Sequence, residues 1–278
     1  MKSILLASCQ DSRGIIHAIT DAILRIEGNI LDLEQHVDAQ AGQFFMRAEW
    51  DGGELAAFHK RFKPVADRFH MWSAYYPARQ TQRLALFASK EEHCLIDAIL
   101  RVESSQLPAE VAVVISNHDT LRSVVARYGV RYELFEITNE NKREQEKAIL
   151  ALLDTLNIDV IGLARYMRIL GEDFVNAYPN RIINVHHSFL PAFQGARPYH
   201  QAYERGVKII GATSHYVTEK LDEGPIIEQA VQRVGHKYEV EDLVEIGKEI
   251  ERQVFYFALK KHLERKIIVF DNRTIIFH

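Results

Sequence analysis

From residue 82 onward, short continuous apolar runs alternate with stretches of helical periodicity, and few folds satisfy that pattern. The runs at 83–88, 111–116, 132–137, 160–164 and 182–186 are apolar along most of their length. Strands of that kind are buried on both faces of a sheet. Between them, 93–102, 121–128 and 143–156 repeat apolar residues at three- and four-residue spacing and would supply the covering helices. The expected architecture is α/β, with a doubly wound, mostly parallel sheet. A long amphipathic helix follows on Leu243, Ile246, Ile250, Val254 and Phe257, and 267–277 carries two short strands around Asp271-Asn272.

Residues 1–76 follow a different rule. An apolar strand at 2–8 precedes Ile15, Ile16, Ile19, Ile23 and Ile26 at helical spacing, and Gly28-Asn29 stops that helix. Strands at 30–37 and 43–50 flank a turn at 38–42. Leu55, Phe58, Phe62 and Val65 mark a second helix, and 70–75 a closing strand. The order βαββαβ is the ferredoxin-like arrangement. Residues 77–82 are polar and aperiodic, so the boundary falls there, with one domain at 1–80 and a second at 81–278.

Charge and cysteine content narrow the function classes. The formal net charge is −4 over 278 residues, which gives no basic field for nucleic acid and favours a small-molecule partner. Cys9 and Cys94 are the only cysteines and form no CxxC pair, so neither a disulfide framework nor a thiolate zinc site is expected. The N-terminus reads as a poor signal peptide, and no run approaches the ~18 apolar residues of a membrane helix. The expected compartment is the cytoplasm.

The densest polar cluster in an apolar context is 183–191, INVHHSFLP. Strand alternation places Asn184, His186 and Ser188 on one face and His187 on the other. An amide and an imidazole at the carboxyl end of a strand can both reach a carbonyl oxygen as it becomes an oxyanion. The same residues would also serve as a satisfied structural pair. In LDEGP (221–225), Gly-Pro turns the backbone so that Asp222 sits on a loop. That is an ordinary surface turn unless Asp222 partners His186, whose imidazole a carboxylate can orient. His186, His187, His200 and His215 do not carry a metal-binding spacing, and no metal is expected. No glycine-rich loop follows the first strand of the second domain; Ser89-Lys90-Glu91-Glu92-His93 stands there instead, which argues against a phosphate cradle. Asn117-His118-Asp119-Thr120 reads as a helix cap.

Asn184, His186, Ser188 and Leu190-Pro191, followed by Asp222 in LDEGP, resemble the signature of the folate-dependent formyltransferase fold. The wider sequence at 186–217, together with 116–122, 164–170 and 221–227, resembles the formyltetrahydrofolate deformylases, which begin with an ACT regulatory domain. The resemblance implies hydrolysis of 10-formyltetrahydrofolate to formate and tetrahydrofolate, supplying formate for purine synthesis and balancing the one-carbon folate pools. Asn184 and His186 would polarise the formyl carbonyl, and Asp222 would move protons between water and the departing nitrogen. Tyr166, Met167, Arg168, Ile169 and Leu170 would line the pterin pocket; without the resemblance they read as a helix start. No cofactor is implied, the folate being the substrate. An amino-acid effector is implied near Asp11 and Gly14, at the first strand–helix turn, and a homo-oligomer through the ACT domains. Alternatives are a formyltransferase acting on a phosphate-free amine and a non-catalytic amino-acid sensor.

Overall fold

The computed structural model describes residues 2–191 and 198–278 and divides the chain into two units. The first contains β1 (Ser3–Gln10), α1 (Ile15–Leu24), β2 (Asn29–Asp38), β3 (Gln43–Asp51), α2 (Leu55–Arg68) and β4 (Trp72–Pro77). Its sheet has the order β2-β3-β1-β4, with every pairing antiparallel, which is the ferredoxin-like arrangement expected. The isoleucines of α1 explain its packing. Ile15, Ile19 and Ile23 fall on one face and are buried against Phe44, Met46, Trp50 and Phe58. Full burial of each such side chain is worth about 1.5–3 kcal/mol.

Strand β1 is buried along nearly its whole length because both of its faces are covered. Leu5, Ala7 and Cys9 face the helices, whereas Leu6 and Phe45 meet Ile268 and Phe277 from the C-terminus of the chain. The structure therefore divides the chain differently from the sequence boundary at 80. Glu264–Phe270 and Ile275–His278 belong with the first unit, and only the tip Asp271–Thr274 stays with the second. Sequence periodicity reveals two strands there but not which apolar face they cover.

The second unit runs β5 (Gln82–Ala88), α3 (His93–Glu103), β6 (Ala109–Ser116), α4 (Arg122–Ala126), β7 (Tyr132–Leu134), α5 (Lys142–Thr155), β8 (Val160–Leu163), α6 (Glu172–Ala177) and β9 (Ile182–His186). It continues through α7 (Pro198–Glu204), β10 (Ile209–Tyr216), β11 (Ile226–Arg233) and α8 (Val240–Leu263), before β12 (Ile267–Phe270) and β13 (Arg273–Ile276) pair as a hairpin. Its seven-stranded sheet has the order β11-β10-β9-β8-β5-β6-β7. β5 to β9 are parallel, and β10 and β11 add an antiparallel edge. Central strands such as β8 are wholly buried, consistent with helices on both faces. Strand order reverses direction beside β5, and β5, β8 and β9 end on the same side. Crevices at such carboxyl ends are where ligands of open α/β sheets bind.

Candidate active site

The antiparallel pairing of β9 with β10 sets His215 directly opposite Asn184 and Thr213 opposite His186. Asn184 Nδ2 then lies 3.3 Å from His215 Nε2. The other ring nitrogen of His215 donates to the Tyr216 carbonyl oxygen at 2.9 Å, which fixes the plane of the ring beside the amide. The amide is held in one orientation, with its second N–H left for a ligand. Asp222 arrives on the loop after β10. Its φ of +56° lies in the left-handed region, which Asp tolerates better than most residues. Two residues on, a side chain at Gly224 would collide with the Tyr216 carbonyl, so glycine is required for the loop to fold back this closely.

The loop aims the Asp222 carboxylate between two rings. One oxygen is 3.3 Å from His186 Nδ1 and the other 3.6 Å from His215 Nε2. Burial alone would raise the carboxyl pKa, but hydrogen bonds and charge from His186 and His215 outweigh it and hold the group well below the usual carboxylate range. His186 is buried, and its Nε2 has no partner among the described residues. A buried ring nitrogen without a partner, next to an oriented amide, is an arrangement suited to a ligand carbonyl oxygen.

These groups line a cleft of about 260 Å³, and the 166–170 segment forms another part of its wall. Ser89, at the end of β5, anchors that segment, because its Oγ accepts from the Met167 N–H at 2.9 Å and donates to Asn117 Oδ1 at 2.6 Å. Arg168 donates to the Ile137 carbonyl at 2.8 Å, and Glu146 accepts from Gly171 N–H at 2.9 Å. Met167 and Ile169 are therefore held out with 62% and 59% of their surface exposed, an apolar wall with nothing packed on it. Tyr166 turns inward against Phe87, and burial raises its phenol pKa. The helix begins only at Glu172, so the segment is a tethered turn and not a helix start.

The formyl transferase family profile matches residues 82–259. The chain is 47% identical over 278 residues to the formyltetrahydrofolate deformylase of Synechocystis sp., covering 98% of this chain and 97% of that protein. Identity to the Bacillus subtilis formyltetrahydrofolate deformylase is also 47%, over 282 residues, covering 100% and 94%. The crystal structure of a formyltetrahydrofolate deformylase from Pseudomonas syringae pv. tomato matches at a TM-score of 0.97 and 41% identity, covering 100% of this chain and 95% of that one. The chain belongs to the formyltetrahydrofolate deformylases. By contrast, glycinamide ribonucleotide transformylase 1 from Symbiobacterium toebii matches at a TM-score of 0.67 and 31% identity and covers only 71% of this chain.

Several motif residues fall elsewhere than strand alternation implies. β9 ends at His186, so His187 no longer alternates to the far face. Its ring stacks on His186, with centroids 4.9 Å apart and planes at 22°, and both line the cleft. His215, which sequence left unassigned, joins the Asn184–His186–Asp222 group, and His200 is exposed on α7 outside the cleft lining. Residues 192–197 of the motif lie outside the described residues. Asn117 does not cap a helix; its side chain serves Ser89.

Behind the cleft, Glu251 of α8 is buried among partners far apart in sequence. It accepts from Tyr199 Oη at 2.8 Å, meets His93 Nε2 at 2.8 Å and faces Arg165 Nε at 3.5 Å. Burial raises its pKa, but these groups together lower it overall. His93, Cys94 and Glu251 are the one cluster of possible metal ligands among the described residues. Each oxygen of the carboxylate is already engaged, by Tyr199 and by His93, and the neighbouring Arg165 cation opposes a second positive charge. Asp11 and Gly14 are exposed in the first unit and lie outside the cleft. Gly14 has a φ of +91° at the start of α1, and the Asp11 N–H is taken by the Gly42 carbonyl at 2.8 Å.

Proposed function

We propose that the chain hydrolyses 10-formyltetrahydrofolate to formate and tetrahydrofolate. The observation that carries this reading is the Asp222 carboxylate set between the imidazoles of His186 and His215, beside the oriented Asn184 amide. In the reaction, Asn184 and His186 stabilise the oxyanion that forms on the formyl oxygen, and the Asp222 carboxylate, 3.3 Å from His186 Nδ1, orients that ring and complements its positive charge. The exposed faces of Met167 and Ile169 suit a flat bicyclic ring, and tethered backbone groups of 166–170 suit its polar edge.

Water is the acceptor on this reading. The β5–α3 connection, where a phosphate would otherwise be held, carries Glu91 and Glu92, and His93 at the start of α3 is tied to Glu251. Glu91 is paired with Lys248 at 3.2 Å, and with no glycine in 89–93 the backbone is not free to approach a phosphate closely. No helix of the described residues is long and apolar enough to cross a membrane, and we place the protein in the cytoplasm, supplying formate to purine synthesis. The ferredoxin-like unit is read as an ACT-type sensor in which an amino acid binds near Asp11 and Gly14, within a homo-oligomer.

The test is incubation of the purified protein with 10-formyltetrahydrofolate and a chelator, without any amine. Formate and tetrahydrofolate should appear in equal amounts. A strict need for an amine acceptor would assign a transferase, and loss of activity restored by zinc would overturn the metal-free reading.

A further inference from the structure

Hydrolysis requires a water molecule held against the formyl carbon, and the groups described so far are committed elsewhere. Both Asp222 oxygens face imidazoles, the Asn184 amide faces His215 and the formyl oxygen, and His186 is fixed by Asp222. His187 is the exception. It lines the same cleft and stacks on His186, yet no described residue hydrogen-bonds either of its ring nitrogens.

The surroundings of this ring keep it neutral. Burial, then the Arg165 cation and His186, push its pKa down to about 4, while Glu251 and Asp222 act in the opposite sense. Tyr199, whose ring centroid lies 6.5 Å away, adds no charge, because burial beside Glu251 raises its own pKa. A neutral imidazole presents one N–H and one lone pair, a complement that fits a single water.

Resting on the hydrolytic reading above, we propose that His187 holds the attacking water, accepting a hydrogen bond from it through the unprotonated ring nitrogen. The water oxygen bonds to the formyl carbon as the carbonyl π pair moves onto the oxygen beside Asn184 and His186, and one water proton passes to His187. Collapse of the tetrahedral intermediate restores the carbonyl and breaks the carbon–nitrogen bond. The imidazolium returns its proton to the departing nitrogen, and the second water proton leaves with formic acid. An imidazolium of low pKa is a strong acid, which suits protonation of a weakly basic aryl amine.

His187→Ala and His187→Gln test this with two nucleophiles, water and hydroxylamine, while formate and formohydroxamate are measured. The Ala variant should lose about 10²-fold in formate release, with KM for the folate nearly unchanged. Hydroxylamine brings its own basic nitrogen, so formohydroxamate should become a larger share of turnover than in the parent. The Gln variant, which keeps an acceptor but cannot carry the proton, should fall between the two. A folded variant of either kind with parental formate release overturns the role of His187, and so does a parallel loss with both nucleophiles. If the parent itself releases no formate, the hydrolytic reading fails first.

Discussion

The two sheets bury different kinds of side chain. In the four-stranded unit the buried polar residues among those described are Ser3, Ser8 and Arg47, and Arg47 is answered by Asp32 and Glu49 at 2.8 and 2.9 Å. In the seven-stranded unit His186, Ser188, Thr213, His215 and Glu251 are all buried, and His186 Nε2 lacks a partner. A buried polar atom left unsatisfied costs about 1–3 kcal/mol. The second unit carries most such atoms, those of Arg165, Tyr166 and His186 among them at the cleft, whereas the first has Trp50 Nε1 alone among the described residues and uses burial chiefly for packing. The contrast teaches where function is to be sought in each: in the interior of one and on the surface of the other.

The largest expected effect comes from Asp222→Asn. Asparagine has nearly the same volume but cannot stabilise a charged imidazole, so kcat should fall about 10²–10⁴-fold with little change in KM. Steady-state kinetics check this, and a near-normal kcat would return LDEGP to an ordinary turn. A stability signature accompanies it. The carboxyl pKa is lowered in the folded state, so its contribution is fully present above the ordinary value of ~3.9 and is lost as pH falls below it. The parent should therefore be more stable than the Asn variant at neutral pH, and the gap should shrink in acid.

Next in size is Phe277→Ala, aimed at the other unit. Phe277 is 3% exposed in the cluster with Leu6, Phe45 and Ile268, and truncating a buried phenylalanine costs about 3–5 kcal/mol. Urea unfolding should register that loss while kcat of the folded protein holds. A matching fall in kcat would break the division between a packing unit and a chemical one. Smallest is Asp11→Ala, which should leave basal turnover unchanged and weaken the response to an amino-acid effector. Such couplings are worth about 1–3 kcal/mol in total. If no common amino acid alters activity or melting temperature in the parent, the sensor reading fails.

Much of this was legible from periodicity. β9 matches its expected bounds of 182–186, and the elements of the first unit fall within three residues of expectation, because apolar spacing there reflects burial directly. Legibility failed where burial is polar. β10 contains Thr213, Ser214 and His215, all buried, with Thr213 Oγ1 accepting from the Leu190 N–H at 3.1 Å. Such a strand has no apolar period to detect. His187 was misplaced because alternation holds only while the strand lasts. The Arg165–Tyr199–Glu251 group has no sequence signal at all, since three distant segments meet only in the fold.

The C-terminal hairpin on the first unit also has a consequence for biosynthesis. At ~5–20 residues per second, the ribosome needs roughly 10–40 s to add the chain between residues 80 and 278. Through that interval the strands carrying Leu6 and Phe45 exist, but Ile268 and Phe277 do not. One side of the nascent sheet is thus greasy and uncovered throughout that interval. The emerging polypeptide is a natural client for a chaperone that shields apolar surface, and the unit made before the seven-stranded sheet is completed after it.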